Sequence, residues 1–147
     1  MWTGSRRSGF SLPEVLVALA VLSVLAAVLL PRVGGALRAR EAADAPKRVG
    51  ALIRTASSLA ASQEVYVRVV HDSTGRRIYL ARSPNPSGPF EYLGPEYQVR
   101  LSPGIGVSPP GFTLLFDPRG ILQSSSYPVT LSVGGRTLSV SRWGEVR

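Results

Sequence analysis

Cysteine is absent from this sequence. No disulfide can hold the fold together, no thiolate can bind a metal, and no thiol nucleophile exists. The chain must hold its shape by packing alone. Histidine occurs once, as His71, and lysine once, as Lys47. A single histidine cannot supply the two imidazoles of most zinc or iron sites. No Ser-His-Asp set suggests itself, and His71 falls in a stretch read as a turn, where a solvated ring is the simplest expectation. Asp72-Ser73-Thr74-Gly75 is too short for a calcium loop. Gly104, Gly106, Gly111, Gly134 and Gly135 fit neither phosphate-loop spacing. The chain is therefore read as a non-enzyme, with no metal and no cofactor.

Acidic residues are also scarce. Nine carboxylates face seventeen cations, sixteen of them arginine, for a net charge of +8. Such a surface attracts phosphate on nucleic acid or lipid, although charge alone identifies neither partner. At 147 residues the chain has room for one small domain. Much of its apolar content lies near the N-terminus, so the remainder has a smaller core than the 44% hydrophobic total suggests.

From Val15 to Leu30 there is no charge, and Ser23 is the only polar side chain. Counted from Phe10, the run is 21 residues long. At about 1.5 Å per residue, a helix over it spans about 30 Å, the thickness of a bilayer's hydrocarbon core. Arg6 and Arg7 precede it, and the positive-inside rule then places the N-terminus in the cytoplasm and the bulk of the chain across the membrane. A cleavable secretory signal needs a shorter apolar core with small residues after it. Here Ala26-Ala27 lies inside the run, and Leu29-Leu30-Pro31-Arg32 follows. A plain signal anchor fits the length but leaves Glu14, at the head of the run, unexplained. A charge at the centre of a membrane helix costs about 2.5–3.5 kcal/mol on insertion scales, and less near the interface, so such a group calls for a partner.

The stretch Ser8-Gly9-Phe10-Ser11-Leu12-Pro13-Glu14, with its basic leader and long apolar run, resembles the signal of type IV pilins and type II secretion pseudopilins. The resemblance implies cleavage by a prepilin peptidase on the cytoplasmic side between Gly9 and Phe10, then N-methylation of Phe10. It also implies that Glu14 serves filament assembly, pairing with the N-terminal amine of a neighbouring subunit. That amine does not exist until the leader 1–9 is removed. Pro13 suits the first turn of a helix, where a missing N–H costs little.

Beyond the apolar run, Pro31, Gly34 and Gly35 mark a weak point, and a helical pattern resumes at Ala36. Val49, Leu52, Ile53, Ala56, Leu59 and Ala60 recur at three- and four-residue spacing, which predicts one apolar stripe packed on a sheet. Pro46 is expected to kink this helix or mark a short break. Strands are expected at Val65–Val70, Ile78–Arg82, Tyr97–Leu101, Phe112–Phe116, Val129–Val133 and Arg136–Ser141. Gly134-Gly135 supplies a two-residue hairpin turn. The order helix then strands predicts an α+β fold: a leader 1–9, a membrane and filament-core helix 10–31, an amphipathic continuation 32–64, and a β-rich head 65–147. This is also the architecture the pilin resemblance implies, a long N-terminal helix packed on an antiparallel sheet.

Phe116-Asp117-Pro118-Arg119-Gly120, followed by a hairpin and by Arg142-Trp143-Gly144-Glu145, is similar to the GspH/FimT branch of minor pilins. The implied role is that of a structural subunit of a type IV pilus or type II secretion pseudopilus, acting in filament initiation or at the tip. Its implied partners are other pilins, the prepilin peptidase, an inner-membrane assembly platform and the bilayer. It would reside in the inner membrane as a single-pass protein, head outward in the periplasm or beyond, before assembly. The alternative is a DNA-binding minor pilin of a DNA-uptake pilus. Some FimT-like proteins carry a C-terminal glycine-arginine motif for this. Here the tail reads Gly135-Arg136-Thr137-Leu138 and Gly144-Glu145-Val146-Arg147, with one arginine in the first and Glu145 in the second. Arg136, Arg142 and Arg147 are the candidate phosphate contacts.

Overall fold

The computed structural model describes residues 11–147, with the side chains of residues 30–33 excepted. Gly9 and Phe10 lie outside the described residues. The chain divides into two compact units, 1–39 and 40–147. Helix α1, Leu12–Gln63, contributes to both.

In the first unit α1 begins with the carboxylate half of a capping box. Ser11 is the N-cap, its backbone N–H donates to Glu14 Oε2 at 3.4 Å, and its carbonyl accepts the N–H of Glu14 and of Val15. Glu14 thus sits in the first turn, where a carboxylate complements the helix dipole. Downstream, Val15, Leu16, Val17, Leu19, Val21, Leu22, Val24, Leu25, Val28 and Leu29 are all exposed. The polar intruder Ser23 returns its hydroxyl proton to the Leu19 carbonyl at 2.7 Å, so it presents no unsatisfied donor. This part of α1 is long and apolar enough to cross a membrane.

In the second unit the character of the helix reverses. Ala45, Val49, Leu52, Ile53, Ala56 and Ala60 are buried, and Leu59 packs beside them, as the sequence pattern predicts. Of the kink or short break expected at Pro46, the break is not found: α1 is helical throughout. The ring removes the donor for the Ala42 carbonyl one turn earlier. Gly134 of the last hairpin lies against that carbonyl, where a Cβ would come within 2.9 Å of the oxygen. The helix ends in a Schellman motif. Glu64 takes a left-handed φ of 54°, and the Val65 N–H donates back to the Ala60 carbonyl at 3.2 Å.

Nine strands follow: β1 Tyr66–Asp72, β2 Arg77–Ser83, β3 Glu91–Tyr92, β4 Gln98–Arg100, β5 Val107–Ser108, β6 Thr113–Phe116, β7 Leu122–Gln123, β8 Val129–Val133 and β9 Arg136–Val140. They form two antiparallel sheets rather than the single sheet expected. In the larger, the order is β3-β2-β1-β6-β7, with β4 also pairing β2; in the smaller it is β5-β8-β9. Strand alternation sends Val67 and Val69 of β1, Ile78 and Leu80 of β2, and Leu114 and Phe116 of β6 into the core. Leu131, Val133, Leu138 and Val140 of the smaller sheet join the same cluster as the helix stripe. Gly134 and Gly135 both have positive φ, 59° and 79°, the signature of a type I′ hairpin turn.

His71 departs from expectation. It belongs to β1, at an inward position of the alternation, and is buried. Its Nδ1 accepts the Gly111 N–H at 3.1 Å, and its ring packs on Phe112 with centroids 5.6 Å apart. Burial lowers its pKa, against the opposing pull of Asp72. A buried strand histidine that ties β1 to the Gly111-Phe112 segment replaces the solvated turn histidine.

Candidate functional site

Three regions carry the residues singled out by sequence. The first is the start of α1. There Glu14 is exposed and its contact is the local cap described above. A carboxylate there complements the helix dipole while remaining exposed.

The second region is where the Phe116–Gly120 and Arg142–Glu145 segments meet the helix. Ser57, which the sequence reading missed, is the hinge of this arrangement. Its hydroxyl lies 2.8 Å from the Gly120 carbonyl and 3.3 Å from the Trp143 carbonyl. A Cβ on Gly120 would lie 2.8 Å from the Ser57 carbonyl, and one on Gly144 2.6 Å from the Ser57 Cβ. Both glycines also have positive φ, 74° and 75°. So the glycines of two segments distant in sequence are required for the same reason: each lets its loop press on one turn of α1.

Asp117 organises the first of these loops. Oδ1 accepts the N–H groups of Arg119 and Ile121 at 2.9 and 3.0 Å. Oδ2 accepts from Arg119 Nη2 at 2.7 Å, Arg119 Nε at 3.1 Å and Gln123 Nε2 at 3.1 Å. Burial pushes this carboxyl up, but the hydrogen bonds from the Arg119 side chain and from the Ile121 and Arg119 amides outweigh it and hold the pKa below the usual carboxylate value. The group is saturated by structural donors, so it acts as a staple and not as an acid or base.

The third region holds the C-terminal arginines. Arg136, Arg142 and Arg147 are all exposed. They do not form one stripe along the ribbon. Arg147 exchanges backbone hydrogen bonds with Ser139, at 2.8 and 3.0 Å, and so shares the side of Ser139. Arg136 has the parity of the buried Leu138 and Val140, the opposite side. Arg142 lies beyond the strand, its guanidinium 6.0 Å from the centre of the exposed Trp143 ring. Among the described residues, no three His, Asp or Glu side chains are grouped to hold a metal ion.

The prokaryotic N-terminal methylation motif matches residues 4–30. No curated protein matches the sequence. The fold is similar to that of the Pseudomonas aeruginosa type IV minor pilin FimU in two crystal forms. In the first, 20% of residues are identical over 71% of this chain and 89% of that one, with a TM-score of 0.51. In the second, identity is 16% over 74% of this chain and 87% of that one, with a TM-score of 0.53. The chain thus carries the N-terminal methylation motif over residues 4–30 and shares its fold with a type IV minor pilin.

Proposed function

We propose that this chain is a minor pilin: a structural, non-enzymatic subunit that is cleaved after Gly9, N-methylated on Phe10 and assembled with other pilins into a type IV pilus or related pseudopilus. The observation that carries this reading is the contrast within α1, whose first half exposes an unbroken apolar surface headed by one carboxylate, Glu14. Lipid covers that surface before assembly and neighbouring stems cover it afterwards. Cleavage creates an α-amine one helical turn before Glu14. In a low-dielectric filament core, a neighbour's amine and Glu14 neutralise each other and fix the axial register between subunits. The prepilin peptidase and an inner-membrane assembly platform are the partners this pathway requires, with the N-terminus cytoplasmic and the head on the far side of the membrane.

Mass spectrometry of the membrane-extracted protein tests the processing step. The N-terminal peptide should begin with N-methylated Phe10. A mature terminus anywhere else overturns the reading.

A further inference from the structure

The C-terminal arginines are not the only concentration of positive charge. The end of the β1–β2 hairpin and the adjoining β4 form a cleft of about 320 Å³ lined by Gly75, Arg76, Arg77, Arg100, Leu101 and Pro103. Arg77 and Arg100 are direct cross-strand partners, an arrangement of like charges that destabilises a sheet. The one carboxylate at hand, Asp72, is already engaged: it accepts the Gly75 N–H at 2.8 Å and pairs with Arg77 Nε at 3.1 Å. Among the described residues, Arg76 and Arg100 have no salt-bridge partner. Three guanidinium groups thus share one cleft with one acid, and all three are exposed. The fold retains a repulsive cluster that an anion would relieve.

Aromatic rings adjoin the charges. Strand alternation puts Tyr79 and Gln98 on the same outward face as Arg77 and Arg100, with Tyr92 next along the face. Arg77 lies 5.2 Å from the Tyr79 ring centre, and Tyr79 meets Tyr92 edge to face at 5.6 Å. Tyr92 is 43% exposed. Basic groups that follow a phosphate chain, next to rings on which bases stack, are the physical means by which proteins hold single-stranded nucleic acid without reading its sequence. Acidic peptides satisfy the arginines but leave the rings idle.

We propose that this sheet face binds single-stranded nucleic acid, with Arg76, Arg77 and Arg100 on the phosphates and Tyr79 and Tyr92 under the bases. The site is separate from Arg136, Arg142 and Arg147, and its activity does not depend on filament assembly. The test uses the full chain in neutral detergent micelles and a fluorescent 12-nucleotide oligo-dT at low salt, read by anisotropy. Binding should weaken with salt, at a slope of about −0.7 per phosphate contacted. The double variant Arg76→Gln/Arg100→Gln should bind at least tenfold more weakly, with a slope shallower by about 1.4, and should melt at the wild-type temperature or above. Tyr92→Ala should lose about fivefold or more, as expected for one stacked base. Four results would each overturn the proposal: no binding at low salt, undiminished binding by the double variant, a duplex of equal length bound as tightly, or poly-glutamate competing as well as unlabelled oligo-dT at equal charge. Loss of binding in Arg136→Gln/Arg142→Gln/Arg147→Gln with the double variant unaffected would move the site to the C-terminal ribbon and equally refute it.

Discussion

The two halves of α1 are built from similar apolar residues and solve opposite problems. Between Val15 and Leu29 the side chains are exposed all round. Between Ala45 and Ala60 the apolar residues are confined to a stripe, and two sheets and three loops close over it. The difference lies in patterning rather than in hydrophobicity. A helix apolar on every side must be completed by lipid or by other copies, whereas an amphipathic one can be completed by its own chain. Small residues add a second distinction. Ala42, Gly50 and Ser57 let the last hairpin, the C-terminal segment and the Gly120 and Gly144 loops approach the backbone of α1, as the close contacts at Gly134, Gly50, Gly120 and Gly144 show.

That comparison can be broken by mutation, most strongly in the buried half. Ile53→Ala removes a fully buried side chain and should cost the head about 2–5 kcal/mol in thermal or denaturant melts. The same truncation at Leu22, exposed in the first half, should leave the head's melting temperature unchanged. Gly144→Ala should come next, at about 2–4 kcal/mol, because it adds both a positive-φ penalty and a contact at 2.6 Å with Ser57. Ser57→Ala should cost about 1–3 kcal/mol by leaving the Gly120 and Trp143 carbonyls short of a donor. Replacing both Ser57 and Gly144 by alanine should give less than the sum, since the two share one contact.

A smaller effect concerns pH. The folded-state pKa of Asp117 is depressed below its unfolded value, so its contribution to stability is fully present above about pH 4 and is lost as pH falls through the folded value. Asp72 acts in the same direction, held down by the Gly75 amide and then by Arg77. His71 has a depressed pKa as well. It favours the folded state above about pH 6.5, and that contribution declines as the pH drops below the unfolded value. Melting temperature should therefore fall in two stages on acidification. Asp117→Asn should blunt the lower stage and leave the upper one intact. A single transition confined to the region above pH 5 would contradict this assignment.

What could be read from the sequence was what depends on neighbours in the chain. The methylation motif over residues 4–30 is local, the stripe from Val49 to Ala60 is a helical period, and Gly134-Gly135 is a two-residue turn. What could not be read depends on contacts between distant segments. Ser57 meets its acceptors 63 and 86 residues away, and no local pattern marks a serine beside an apolar stripe as a clasp. The second sheet escaped because β5 is two residues long and lies within a proline- and glycine-rich stretch. His71 was misplaced because the turn signals of Asp72–Arg76 begin one residue after it, while its strand parity points it inward. The arginine cleft joins Arg77 to Arg100, 23 residues on, and is visible only once β4 pairs with β2.

The central claim is that Glu14 acts between subunits and not merely as a cap on its own helix. The direct measurement is the amount of this chain in sheared filaments, wild type against Glu14→Gln, with processing at Phe10 verified in both. A glutamine retains most of the capping contact but carries no charge to pair with a neighbour's amine. The account predicts normal cleavage and helix content with the variant excluded from the filament fraction. Incorporation at the wild-type level would contradict it and leave Glu14 a helix cap alone.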